Sequence, residues 1–508
     1  MLKTKTNERY DAIRLLFLCF MTVYVAVREV PPLHWLIGSQ VVSAAIFLLG
    51  FGLILAGLFF PGSVFSDRRT DLLALFIVVT ILSCVLNFKY GYADNVKAVG
   101  AMILFFMLFF GAGIGKTPAQ RKREINWITG TLCAVWAVFT LASVLMFTTS
   151  IFYKIDTGNW VATDQGFSTQ LNRLSGVFND ANYAGYISNI VILSSVRFFR
   201  GTKKNGIKAL HVLNILLQFA YMTLGGSYSA LIILVASACV FAFYLICSLK
   251  GGKTVFSYAK NAAAAVLCGA LCYGMILGGQ YLLPYARTLT GLLPESIPAG
   301  ITEVYNAIYE HGDFEIKKTK NAYGKNGVKE AEDFGPIKRK DTAEAKGEDD
   351  ISHGRFDRWE QSLRIFSSTP VLGTSPRNVS AYAKVHFPDT LMAKYKMAPH
   401  NGYLDILVGT GAVGMVVFLL FFIPAVIALL KKYFRFENDG EFILAASSVF
   451  ILAASALFVS DLFFMISIGA FFFWTFFGYA LHTEEGTEKR GLLMKLYEAV
   501  FRRKEKTA

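Results

Sequence analysis

The chain has 508 residues, 54% hydrophobic and 15% aromatic, with 17% charged, and its mean hydropathy is +0.46. Soluble domains carry about a quarter charged residues, so this balance excludes an ordinary soluble domain and points to a polytopic membrane protein. The net charge of +14 would suit a nucleic-acid partner, but its distribution argues against one, because basic residues recur in short clusters between apolar runs, a topology signal rather than one phosphate-binding face.

A hydrocarbon core ~30 Å thick needs about 20 apolar residues per helix. On that measure the sequence predicts twelve membrane segments, near 13–30, 34–60, 71–88, 96–115, 126–149, 181–199, 209–225, 228–249, 261–283, 400–430, 441–459 and 462–481. The N-terminus, with Lys3, Lys5, Arg9 and Arg14 ahead of the apolar run Leu15 to Val27, resembles a signal peptide superficially. No small-residue cleavage site follows it, so it reads as a retained helix. The breaks at Gly225-Gly226 and Ser460-Asp461 are short enough to be kinks as well as reversals. All seven cysteines lie in or beside apolar runs, which implies no disulfide framework in the polar loops. No Cys/His set has zinc spacing, and neither a metal nor a cofactor is expected.

With the N-terminus in the cytoplasm, the inside loops collect Arg68-Arg69, Lys116 with Arg121-Lys122-Arg123, Lys203 with Lys204, and Lys431, Lys432 and Arg435. The positive-inside rule then puts both termini in the cytoplasm. The resulting layout is an all-α polytopic membrane protein: nine segments over 1–283, a large extracytoplasmic loop over 284–399, three segments over 400–481, and a basic cytoplasmic tail over 482–508. Leu492, Leu493, Leu496 and Phe501 in that tail suit an amphipathic helix on the inner leaflet. A shorter outer loop spans about 150–180. Within the large loop, 317–350 mixes Lys, Glu, Asp and Gly without periodicity and reads as a mobile, solvated insert, Glu348-Asp349-Asp350 included. No repeat of the inverted-transporter kind is visible.

Charged groups at the outer ends of membrane segments are costly unless they meet water or a ligand, which makes them functional candidates. The first loop offers Arg173, Gly176, Phe178, Asn179, Asp180 and Asn182. Asn179 or Asp180 would equally serve as a helix cap, whereas a cap needs no arginine. The second loop offers Arg355, Arg358, Trp359 and Arg364, then Pro370, Gly373 and Arg377. Helical spacing puts Arg355, Arg358 and Trp359 on one face, for ligand binding or as an interfacial helix with Trp359 at headgroup level. Pro399-His400-Asn401 opens the tenth segment. A helix N-terminus disfavours imidazolium, which leaves His400 available as a base, and it favours an anionic ligand.

His400-Asn401, nine residues, then Gly411-x-x-Gly414 resembles the signature of bacterial O-antigen ligases. Arg355-x-x-x-Trp359 with Pro370-x-x-Gly373, and Arg173-x-x-Gly176-x-Phe178-Asn179-x-x-Asn182, are similar to that family and to the related O-antigen polymerases. One departure stands out: family members often carry Ser-Arg where this chain has Ser227-Tyr228, so Arg173, Arg377 or another group must take over any pyrophosphate contact made by that arginine. The resemblance implies a GT-C-like fold and metal-independent glycosyl transfer outside the bacterial cytoplasmic membrane. Its donor would be a glycan on undecaprenyl pyrophosphate, and its acceptor a lipid- or glycan-linked hydroxyl. His400 and Arg355 would be catalytic, and Arg173, Asn179, Asn182, Arg358, Arg377 and Asn401 would bind substrate. The alternatives are a polymerase of the same superfamily and, from a different class, a transporter or flippase for polyprenyl-linked glycans. A transporter would need charges or broken helices near mid-membrane, and an inactive export scaffold would be indifferent to substitution of His400.

Overall fold

The computed structural model describes residues 2–37, 40–58, 68–156, 163–168, 172–250, 254–286, 296–310, 315–317, 354–437 and 439–482. The helices are, in chain order, α1 (Leu2–Arg28), α2 (Gln40–Gly57), α3 (Arg68–Leu86), α4 (Ala93–Gly113), α5 (Pro118–Thr148), α6 (Ala181–Gly201), α7 (Asn205–Gly225), α8 (Tyr228–Lys250) and α9 (Val255–Leu282). They continue with α10 (Ser296–Glu310), α11 (Arg355–Ser368), α12 (Val379–His386), α13 (Leu391–Tyr395), α14 (Gly402–Tyr433), α15 (Gly440–Ser455) and α16 (Ile468–Leu481).

The protein is a mainly helical, multi-pass membrane protein. Among the described residues nine helices are long and apolar enough to cross a membrane: α1 to α5, α7 to α9 and α14. Each of the other three segments expected from the sequence is also a helix, with differences. α6 carries Asn182, Ser188, Asn189, Ser194 and Ser195 along its length, and these lower its hydropathy while most of the helix is buried. α15 and α16 are shorter apolar helices, and the break between them is wider than Ser460-Asp461, because residues 456–467 are non-helical. At the other doubtful break α7 stops on Gly226 in the left-handed region and α8 begins two residues later, the usual glycine C-cap. α5 begins where Pro118 supplies the first helical residue and Thr117 and Gln120 exchange cap hydrogen bonds (3.0 and 3.3 Å).

The chain divides into two units. The first comprises Met1–Met21, Ser43–Ile128 and Asp350–Ala508, the second Thr22–Val42 and Thr129–Asp349. The core of the first is aromatic: Phe106 meets Trp474 edge-on with centroids 4.6 Å apart, and Phe109 meets Phe471 at 4.9 Å. In the second, buried polar side chains tie helices together. Trp136 Nε1 donates to Ser188 (3.1 Å), Thr140 to Gln218 (3.2 Å), Gln218 to Asn214 (3.0 Å) and Asn214 to Ser195 (3.0 Å).

The segments between these helices are not wholly irregular. Strands β1 (Phe152–Asp156), β2 (Thr163–Ser168), β3 (Arg173–Gly176) and β4 (Glu315–Lys317) form an antiparallel sheet in the order β3-β2-β1-β4. Tyr153 pairs with Gln165 and Ile155 with Ile316. Backbone groups outside helices need partners, and the ladder supplies them. Lys317, read as the start of the insert, is thus a strand residue. The remainder of that insert, with Glu348-Asp349-Asp350, and the tail beyond His482 lie outside the described residues.

Candidate active site

In the first unit the site is built around the entrance to α14. Asn401 is its N-cap: the side-chain Oδ1 accepts from the backbone N–H groups of Tyr403 (3.0 Å) and Leu404 (3.1 Å). His400 is therefore one residue outside the helix rather than its first residue. Its φ is +55°, a left-handed conformation uncommon outside glycine, although histidine adopts it more readily than most side chains. The Gly402 N–H donates to the Ala456 carbonyl (2.7 Å). Two residues further along that turn, the Phe458 ring lies under the Arg355 guanidinium at 5.4 Å. The 456–458 turn thus contacts both Gly402, the first residue of α14, and Arg355.

Arg355 opens α11 directly after Gly354. One turn on, Arg358 Nε and Trp359 Nε1 are buried and make no hydrogen bond among the described residues. Burial, followed by the neighbouring charge of Arg355, pushes the pKa of Arg358 below the usual arginine value. An arginine so displaced remains a cation at neutral pH, so Arg355 and Arg358 are neighbouring like charges, offset in part by Asp357, that a bound anion would relieve. The spacing of Arg355, Arg358 and Trp359 does fall on a helix, as expected.

The two glycine motifs are opposite sides of one junction. α14 is interrupted at Gly411, whose φ is +68°. Opposite this break the segment 370–374 hydrogen-bonds to the helix backbone: Ala412 N–H to Pro370 O (2.7 Å), Val413 N–H to Val371 O (3.2 Å) and Thr374 N–H to Val408 O (2.9 Å). Gly373, also at φ +68°, lies so near the Val408 carbonyl that a Cβ would collide with it, and a Cβ on Gly411 would strike the Val371 carbonyl. Only glycine permits both the dihedral and the approach.

This junction leads directly to Arg377. The Arg377 backbone N–H donates to Asn95 Oδ1 (3.0 Å). Asn378 Nδ2 reaches the carbonyls of Asn87 (3.1 Å) and Gly91 (3.0 Å), and Asn87 Nδ2 reaches that of Gly373 (2.9 Å). Three buried asparagines thus fasten the Arg377 backbone while its side chain remains exposed. The carboxylate of Asp405, one turn into α14, has Arg377, Ser460 and Asp461 as electrostatic neighbours. Its Oδ2 is buried and makes no hydrogen bond among the described residues. Sequence reasoning passed over Asp405, although an acid four residues after Asn401 in a strongly apolar helix was a usable signal.

The second unit holds Arg173, Asn179 and Asn182. Arg173, the first residue of β3, donates through Nε to Gly225 O (2.8 Å) and through Nη2 to Asn182 Oδ1 (2.9 Å). Ser227 Oγ donates to the same Asn182 oxygen (2.8 Å). Asp180 is the cap of α6, accepting from the Asn182 N–H (2.7 Å). Asn179 is exposed, and its backbone N–H donates to Glu29 O (2.7 Å). The cap therefore falls to Asp180, and Asn179 is not used for it. Phe178 stacks on Trp136 at 4.6 Å.

Residues 213–419 match the family described as O-antigen ligase. The chain carries an O-antigen ligase domain. No curated protein matches the chain. The O-antigen ligase domain takes in Arg355, Arg358, Arg377, His400 and Asn401, together with the whole glycine junction, whereas Arg173, Asn179 and Asn182 precede the matched residues. Tyr228, at the position where the resemblance calls for arginine, is the first residue of α8 and is half exposed. Its neighbour Ser227 takes part in the Arg173–Asn182 contact.

Proposed function

We propose that the O-antigen ligase domain transfers a glycan from undecaprenyl pyrophosphate to an acceptor hydroxyl at the outer face of the bacterial cytoplasmic membrane. The observation that carries this reading is the family match over 213–419, the segment that contains the capped His400-Asn401 corner and the like-charged pair on α11. In the transfer, the acceptor oxygen forms a bond to the anomeric carbon, and the carbon–oxygen bond to pyrophosphate breaks, with its electron pair leaving on the phosphate. His400 takes the hydroxyl proton. Attack opposite the leaving group inverts the anomeric centre. Arg355 and Arg358 neutralise charge growing on the pyrophosphate, a role guanidinium fills bidentately, so no divalent metal is required. Arg377 and Asn401 contact the donor in the first unit, and Arg173, Asn179 and Asn182 are the second unit's candidates for substrate contact.

The test is transfer by purified protein in liposomes containing an undecaprenyl-pyrophosphate glycan, with lipid-linked and glycan acceptors supplied separately. Activity is expected in EDTA, abolished by His400→Ala and sharply reduced by Arg355→Ala. Full activity in both variants would overturn the site assignment. Products that grow by repeat units identify a polymerase, and a single transfer to a different acceptor identifies a ligase. Translocation of the donor without transfer would favour the transporter reading.

A further inference from the structure

One face of α11 changes character along its length. Ser362 and Ile365 are fully buried there, and Ile365 joins Val379 and Ala383 of α12, Met392 of α13 and Val408 of α14 in one apolar cluster. Helical spacing carries the same face back through Trp359 and Arg358 to Arg355. At this end the stripe turns N–H groups inward. Arg358 Nε and Trp359 Nε1 are buried, and neither has an acceptor among the described residues. Ser362 sends its own hydroxyl to the Arg358 carbonyl (2.6 Å). Asp357 and Glu360, the carboxylates of this stretch, are exposed on other faces of the helix. Asp357 offsets part of the Arg358 charge without accepting from its Nε.

Folded proteins leave few buried donors unpaired, because an unpaired one costs more than a formed hydrogen bond gains. Two ordinary roles for Trp359 fail on this point. A tryptophan at headgroup level keeps its N–H in water, whereas Nε1 here is buried. A tryptophan in a core finds a partner for its N–H, and the two fully buried tryptophans of this chain do so. Trp136 Nε1 donates to Ser188 (3.1 Å) and Trp474 Nε1 to the Leu462 carbonyl (3.1 Å). The Trp359 ring is met edge-on by Phe356, with centroids 5.5 Å apart, but its nitrogen is left over.

We propose that Trp359 binds the donor, its indole N–H donating to an oxyanion oxygen of the lipid-linked pyrophosphate. Indole N–H donates and accepts nothing, so it needs a pure acceptor, which a phosphate oxygen is and a sugar hydroxyl is not. The guanidiniums of Arg355 and Arg358 on the same face favour a charged acceptor there. Trp359 adds a hydrogen bond and no charge, so it holds the donor equally before and during transfer, and its effect belongs in KM rather than kcat. The inference rests on the reading of α11 given under the proposed function.

The experiment uses the full-length protein in phosphatidylcholine liposomes, with an undecaprenyl-pyrophosphate glycan as donor. Two changes at 359 are compared: Trp359→Phe, and replacement by benzothienylalanine, which keeps the shape of the indole and exchanges its N–H for sulfur. The isostere keeps the test open if Trp359→Phe fails to fold. Loss of one hydrogen bond to a charged acceptor should raise the donor KM about 10- to 100-fold in both and change kcat less than about twofold. In detergent, the rise in unfolding midpoint produced by undecaprenyl pyrophosphate without a glycan should shrink in the isostere. The midpoint of its ligand-free form should not drop, since no bond within the chain is lost. Trp127→Phe, at an exposed tryptophan of α5, is the control and should leave the donor KM unchanged. An isostere with the wild-type KM, or one that unfolds earlier without ligand, would overturn the role of Trp359 alone. Absence of any transfer by the wild type would sink the proposed function and this inference with it. Adding phosphatidylglycerol to the liposomes should leave the wild-type KM unchanged. A rise that the isostere lacks would give the contact to a phospholipid headgroup and overturn its assignment to the donor.

Discussion

Replacing Gly411 by alanine tests whether the glycine junction holds the candidate site together. The new Cβ would strike the Val371 carbonyl, and the residue would have to keep φ near +68°. With ψ at −172° Gly411 lies in a region that essentially only glycine occupies, which costs another residue about 1–3 kcal/mol. Moving 370–371 away to relieve the collision breaks the hydrogen bonds from Ala412 to Pro370 and from Val413 to Val371, each contributing about 1 kcal/mol net. The sum is about 3–5 kcal/mol, concentrated at one junction. Since 370–374 leads into Arg377 within a few residues, transfer should fall along with the unfolding midpoint. The control is Gly52→Ala on α2, where an added Cβ meets nothing within 4 Å and neither quantity should drop. Thermal unfolding in detergent and liposome transfer, measured on both variants, decide the matter. If Gly411→Ala unfolds no earlier than Gly52→Ala, the junction does not carry the strain assigned to it here.

Three further outcomes are expected. His400→Gly should abolish transfer without lowering the unfolding midpoint, since glycine accepts φ +55°; a large loss of stability would instead make His400 a structural residue. Asn95→Ala removes the partner of the Arg377 N–H and should cost about 1–3 kcal/mol, the range for leaving a buried group unsatisfied. It should also raise the KM for donor more than it lowers kcat, and an unchanged KM would count against the asparagine clamp. Tyr305 is buried and donates to Ala142 O (2.6 Å), and burial raises its pKa above the ordinary tyrosine value. A raised folded-state pKa means stability that is complete below about pH 10 and is lost as pH rises beyond it. The wild type should therefore lose stability above pH 10 by a component that is missing in Tyr305→Phe, as read from denaturation at several alkaline pH values.

The apolar runs alone determined that this is a helical membrane protein and roughly where its helices lie, because a bilayer core imposes one length and one composition on every span. The short motifs likewise marked Arg173, Arg355, His400 and the paired glycines, since those residue types are expensive or conformationally special where they stand. What the linear order did not carry was which groups meet. Asn401 as the cap, His400 outside the helix and Asp180 taking the cap of α6 each depend on where a helix ends, which is settled by a balance of local hydrogen bonds. Gly373 and Gly411 are 38 positions apart in sequence, and their shared role appears only when 370–374 docks on the break in α14. Asn95 and Asn378 are unremarkable in a string of letters and become a clamp by long-range contact, and β4 pairs with a strand some 160 residues earlier. Composition and periodicity are properties of neighbouring residues, so they survive in the sequence. The site rests on hydrogen bonds and close approaches between distant segments, and only the folded chain brings those into range.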